Sequence, residues 1–120
     1  MAEDEPGVRR LVNETLRLHG YTVLEARHGI EALLTGAKHA GPIHLLLTDV
    51  VMPQMSGPEV AEKLATVRPE VKVLYMSGYP DHPAFSKGGI DTEHSFLQKP
   101  FTPTTLAQKV REVLDGSKVA

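Results

Sequence analysis

The stretch from Leu45 to Gly57, Leu-Leu-Leu-Thr-Asp-Val-Val-Met-Pro-Gln-Met-Ser-Gly, leaves this chain few folds to choose from. Leu45 to Leu47 show no polar alternation, the mark of a strand buried on both faces, as in a parallel sheet. The run ends in the carboxylate of Asp49, a loop of turn formers follows, and Pro58 opens a helix. In open α/β sheets the carboxyl ends of the strands are where ligands bind. Taken alone, Asp49 is equally a turn acid or a helix cap, because acids are common at strand ends.

The rest of the chain repeats the same alternation. Pro6 starts a first helix whose face is Val8, Leu11, Val12, Thr15 and Leu16, and Gly20 stops it. Tyr21 to Ala26 reads as a strand. Ile30, Leu33, Leu34 and Ala37 mark a second helical stripe, and Ile43 to Thr48 is the central strand. The helix from Pro58 carries Val60, Leu64 and Val67 and closes near Pro69; Val71 to Met76 is the next strand. Pro80, Pro83, Gly88 and Gly89 break the following stretch, which predicts a short or distorted helix around His82 to Ser86. Phe96 to Gln98 is the last strand. Thr102 caps a final helix begun by Pro103, with Leu106, Val110, Val113 and Leu114 on its buried face and Gly116 at its end. Strands alternating with helices predict an α/β, doubly wound parallel sheet in one domain spanning 1–120.

Glu3 and Asp4 lie just before Pro6, Ser77 ends one apolar run, and Lys99-Pro100 ends another. As neighbouring parallel strands, these segments bring three carboxylates, a hydroxyl and an ammonium to one edge. The ordered set Glu3-Asp4, Asp49, Ser77 and Lys99-Pro100-Phe101, with Asp-x-x-Met-Pro-x-x-x-Gly from Asp49 to Gly57, resembles the receiver domain of two-component response regulators. The resemblance covers nearly the whole chain. It implies a flavodoxin-like strand order 2-1-3-4-5, with the site at the switch point between the first and third strands.

Three clustered carboxylates repel one another and are costly to bury unpaired, and a hard cation such as Mg²⁺ resolves that conflict. The resemblance implies that Asp49 takes a phosphoryl group from the phosphohistidine of a sensor kinase or a phosphotransfer domain. It further implies Asp4 as the direct Mg²⁺ ligand, Glu3 acting through water, and the carbonyl of Val51 completing the protein's share beside Asp49. Ser77 and Lys99 would bind phosphoryl oxygens, through a hydroxyl donor and an ammonium. Phe96 would turn inward as Ser77 moves, although a plain half-buried Phe explains it equally. The resemblance implies a cis Lys99-Pro100 peptide, an isomer that X-Pro bonds tolerate.

Composition excludes other roles. A net charge of -2 argues against direct binding of nucleic acid. There is no cysteine, so disulfides and thiolate chemistry are excluded, which fits a cytoplasmic setting. No run is long enough to span a membrane, no signal-peptide pattern opens the chain, and the six histidines form no metal-site pair. The resemblance implies a domain that by itself is not a conventional enzyme, as part of a hybrid sensor histidine kinase. The Ser77-Gly78-Tyr79 and Gln98–Phe101 stretches resemble receivers at the carboxyl end of hybrid histidine kinases, with a stand-alone regulator as the alternative.

One departure has structural consequences. Only Met1 and Ala2 precede Glu3, so the first strand of the expected sheet is almost absent, as in a fragment or a truncated start. A slot one strand wide should then separate Tyr21–Ala26 from Ile43–Thr48. Its expected fillers are the tail Ser117–Ala120 or a neighbouring copy, through dimerisation or strand exchange; otherwise Ala2 to Asp4 hold a stub of strand. The same departure leaves open a pseudo-receiver, an interaction module that turns over no phosphate. A small flavodoxin-like enzyme or nucleotide binder is a third reading, but no Gly-rich phosphate loop follows a strand.

Overall fold

The computed structural model describes residues 1–52, 54–78 and 96–115. Its elements are α1 (Pro6–Leu18), α2 (Gly29–Lys38), β1 (Leu45–Asp49), α3 (Gly57–Val67), β2 (Lys72–Ser77), β3 (Phe96–Gln98) and α4 (Pro103–Asp115). The expected helix around His82 to Ser86 and the tail Ser117–Ala120 lie outside the described residues.

The three strands form a parallel sheet in the order β1-β2-β3, with Leu47 opposite Leu74 and Met76 opposite Leu97. Successive β1 residues enter opposite layers. Leu46 joins Val60, Ala61 and Leu64 of α3, while Leu47 joins Val12 and Leu16 of α1 and Leu106 and Val110 of α4. This two-sided burial is why the strand has no polar alternation. Ala2 extends the sheet beyond β1 as a single-residue parallel bridge to both Thr48 and Ala26. Its N–H donates to Leu47 O at 2.8 Å and its carbonyl accepts from Asp49 N at 3.2 Å. On the other side Ala26 N donates to Met1 O at 2.8 Å and Glu3 N to Ala26 O at 3.0 Å. The stub of first strand therefore sits between its two expected neighbours. The Met1 ammonium donates to Leu24 O at 2.8 Å, and burial pushes its pKa down to about 6.

Helix ends follow the sequence signals. Gly20, at φ 89°, takes the left-handed turn after α1. Ser56 accepts from Glu59 N while the Glu59 carboxylate accepts from Ser56 N, a complete capping box on α3. Thr102 Oγ1 accepts from Thr105 N at 3.1 Å, as expected for the cap of α4. No helix among the described residues is long and apolar enough to cross a membrane.

Three expectations need correction. Of the stripe Ile30, Leu33, Leu34 and Ala37, expected to face the core, Leu33 packs against it while Ile30, Leu34 and Ala37 are exposed, and the fully buried residues of α2 are Gly29 and Gly36. The two glycines let α2 lie against α3, because a Cβ on Gly29 would stand 2.7 Å from Val60 Cγ2 and one on Gly36 2.8 Å from Leu64 Cδ1. Val67 is likewise exposed, at the last residue of α3. Tyr21 to Glu25 carry no ladder, since a strand needs a partner and the stub bridges only Ala26, touching this segment otherwise through the Met1 ammonium on Leu24 O.

Candidate functional site

Asp49 ends β1 at the carboxyl edge of the sheet and is 4% exposed. The loop after it is clamped back on the strand. Gly57 N donates to Val50 O at 2.8 Å, and Gln54 turns the loop with a left-handed φ of 73°. A Cβ on Gly57 would collide with the Asp49 carbonyl, so the glycine that closes the Asp49–Gly57 pattern is a steric requirement of this turn.

Glu3 follows the bridged Ala2 and is fully buried. Its Oε1 accepts from Lys99 Nζ at 2.8 Å and its Oε2 from Glu5 N at 3.0 Å. Arg9 Nη1 donates to the Glu3 carbonyl at 2.9 Å, fixing the backbone of the acid pair. Arg9 escapes the sequence reading; its only signal is a cation on the first turn of the helix after the acids. Asp4 is exposed beside Glu3. Lys99 reaches the site from the end of β3, where its N–H donates to Ser77 O at 2.9 Å and the Lys99-Pro100 bond that follows is cis. Its ammonium stands 2.6 Å from Asp49 Oδ1. That contact is an ion pair without hydrogen-bond alignment, and among the described residues neither Asp49 oxygen, both buried, finds an aligned hydrogen-bond donor.

The charges perturb one another. Burial, then the close approach of Glu3, push the Asp49 carboxyl up to about 8, against the opposing pull of Lys99. Burial alone would lower the Lys99 ammonium, but its contacts with Asp49 and Glu3 outweigh that and raise it. One ammonium thus stands against two buried carboxylates.

The sequence-derived residues converge on one open cleft of about 800 Å³, lined by Glu3, Asp4, Asp49, Val51, Ser77 and Lys99 among others. One carboxylate oxygen from each of Glu3, Asp4 and Asp49 lies within 4.8 Å of the other two. Three acids, with the two Asp49 oxygens bound by no aligned donor among the described residues, form an all-oxygen donor set that fits a hard divalent cation. Ser77 is buried at the end of β2, and Phe96 is half-buried at the start of β3, opposite Tyr75.

The comparisons agree with this geometry. The family model of the response regulator receiver domain matches residues 1–111. The sensor kinase CckA of Brucella abortus (strain 2308) is 38% identical over 116 residues, which is 96% of this chain and 12% of that kinase. The chain therefore spans about an eighth of the length of that relative. A CheY homolog, a chemotaxis protein of Campylobacter jejuni subsp. jejuni serotype O:23/36 (strain 81-176), is 33% identical over 122 residues, covering 95% of this chain and 89% of the homolog. Among solved structures, the receiver domain from the hybrid histidine kinase CckA matches with a TM-score of 0.78 at 38% identity, over 94% of each chain. Chemotaxis protein CheY4 of Vibrio cholerae matches with a TM-score of 0.81 at 27% identity, over 93% of each chain. The site and the likeness lead to one conclusion: this chain belongs to the response regulator receiver domain family of two-component signal transduction.

Proposed function

We propose that this receiver accepts a phosphoryl group on Asp49 from the phosphohistidine of a sensor histidine kinase or a phosphotransfer domain. The observation that carries the reading is the buried Asp49 carboxylate, its oxygens unmatched by aligned donors, facing two further acids and one lysine. A buried acid in this setting has no structural partner sufficient for its charge, and it stands at the mouth of a cleft.

Receiver domains generally bind Mg²⁺, and here Asp4, Asp49 and the Val51 carbonyl would hold it, with Glu3 acting through water. When bound, the ion supplies positive charge that lowers the Asp49 pKa and offsets phosphoryl charge. The exposure of Asp4 and the engagement of both Glu3 oxygens support that division of labour. An Asp49 carboxylate oxygen attacks phosphorus, the P–N bond to the donor imidazole breaks, and the imidazole nitrogen leaves with the electron pair and takes up a proton. The product is an acyl phosphate. Lys99 exchanges its contact with Asp49 Oδ1 for a phosphoryl oxygen, and the Ser77 hydroxyl donates to another. Phe96 then follows Ser77 inward as the switch.

A pseudo-receiver would need Glu3 and Asp4 displaced from Asp49, and their placement within 4.8 Å favours the phosphoacceptor. The 38% identity to a receiver of a hybrid kinase supports a place in a phosphorelay of that kind. Incubation with a small acyl phosphate and Mg²⁺, read by intact mass, should add one acid-labile phosphoryl group to the wild type and none to Asp49→Asn. Equal uptake by both would refute the assignment.

A further inference from the structure

The two acids before α1 are held unequally. Every polar atom of Glu3 is engaged. Its N–H donates to Ala26 O at 3.0 Å, its Oε1 accepts from Lys99 Nζ, its Oε2 accepts from Glu5 N, and its carbonyl accepts from Arg9 Nη1 at 2.9 Å. Asp4 is exposed, and among the described residues no group bonds its carboxylate. The place of that carboxylate is therefore set by the backbone that carries it. The oxygen of the Glu3–Asp4 peptide is the Glu3 carbonyl. A donor fixed on that oxygen fixes the plane from which Asp4 projects, because the peptide group is rigid.

The helix supplies no donor for this carbonyl. α1 begins at Pro6 with Glu5 as its cap, and Arg9 N donates to Glu5 O at 2.9 Å. The Glu3 carbonyl lies upstream of that ladder in a fully buried residue, where an unpaired acceptor is costly. Arg9 meets it from the first turn of the helix. Its Nε stands 4.0 Å from Glu25 Oε1, and its side chain is half-buried. Among the described residues, its side chain has polar contacts with the Glu3 carbonyl and Glu25, and with none of the three carboxylates of the site. Arg9 thus acts on the acids through the backbone.

We propose that Arg9 is a positioning residue for the metal: by fixing the Glu3–Asp4 peptide it sets Asp4 against Asp49 and favours Mg²⁺ over a larger cation. This rests on the reading of Asp4 and Asp49 as Mg²⁺ ligands. Mg²⁺ demands near-octahedral geometry at about 2.0–2.1 Å, whereas Ca²⁺ accepts flexible surroundings at about 2.3–2.6 Å. A fixed Asp4 matters more to the first ion than to the second. Charge and position predict opposite signs. Removing a cation beside a cation site strengthens binding of any divalent ion. Removing a group that orients a ligand weakens binding, and weakens it most for the ion with the stricter geometry.

The test titrates the metal-free protein with Mg²⁺ and, separately, with Ca²⁺, read from the amide NMR shifts of Val50 and Val51. Arg9→Met keeps the apolar stem and loses the donor; Arg10→Met removes the same charge from its exposed neighbour. Arg9→Met should weaken Mg²⁺ binding about tenfold and Ca²⁺ binding by less than about threefold. Arg10→Met should leave the ratio of the two affinities at its wild-type value. Urea unfolding in a chelator checks that each variant is folded. Where Arg9→Met is not, Arg9→Lys carries the test: it keeps stem and charge without the planar fork, and its preference for Mg²⁺ should also fall. Unchanged Mg²⁺ affinity in Arg9→Met, equal loss of both ions, or tighter binding of both would overturn the proposal, as would a wild-type ratio in Arg9→Lys. A wild type that binds neither ion would instead overturn the metal reading itself, a failure visible without any variant.

Discussion

The balance of charge at Asp49 governs the site. Its folded carboxyl titrates near 8, against a usual value of 3.8, chiefly because it is buried. Between those two values the folded state holds a proton that the unfolded state has released, so metal-free stability falls as pH rises from about 4 to 8. Asp49→Asn removes that dependence. It should therefore stabilise the metal-free fold, by on the order of 2 kcal/mol at pH 8 and less at pH 5, as measured by urea unfolding in a chelator. A variant weaker than the wild type at pH 8 would show that Asp49 is not under electrostatic strain. Lys99 is the opposing charge, and its side chain is 22% exposed. Lys99→Ala should cost about 1–2 kcal/mol without metal, since two acids lose the only close ammonium among the described residues while water still reaches the cleft. Saturating Mg²⁺ should restore the midpoint, because a ligand that binds only the folded state stabilises it. A variant as stable as the wild type without metal would mean that the ammonium does not hold the acids together.

At the scale of elements, the joint between β1 and α3 sets where Asp49 stands. Gly57→Ala places a methyl against the Asp49 carbonyl, which is backbone and cannot yield cheaply. A loss of about 2–4 kcal/mol is expected, with slower phosphoryl uptake than Ser56→Ala. The latter loses half a capping box, about 1 kcal/mol, and leaves the strand end alone. Thermal unfolding and a phosphorylation time course on the two variants separate cap from clamp. Much of this level is legible in the sequence. The Leu45–Leu47 run, Pro58, Thr102 and Pro103 mark their elements because each signal acts locally. What escapes is where packing is made by absence. α2 packs through Gly29, Ala32, Leu33 and Gly36, of which the stripe of large side chains marks only Leu33, because it cannot reveal a face that works largely by lacking them. Tyr21 to Glu25 have the composition of a strand, but pairing is a property of the partner.

Over the whole molecule, the two core layers, the parallel register and the stub at Ala2 bring residues from four separate stretches to one edge. Of the site, the ordered acids, hydroxyl and lysine are legible from residue type and order. The contact of Lys99 with both Glu3 and Asp49, and the grip of Arg9 on the Glu3 backbone, are not, because they depend on how far each side chain reaches once the strands are stacked. The slot of about 860 Å³ between Tyr21–Leu24 and Ile43–Leu46 shows the same division: its existence follows from strand order, its depth only from packing. The central claim is that this assembly makes Asp49 the phosphoacceptor. The most direct measurement is residue-resolved mass spectrometry after transfer from a phosphorylated histidine phosphotransfer domain in Mg²⁺. The account predicts a single acid-labile phosphoryl group on Asp49, lost when Mg²⁺ is chelated; a phosphoryl group on another residue, or uptake indifferent to chelation, would contradict it.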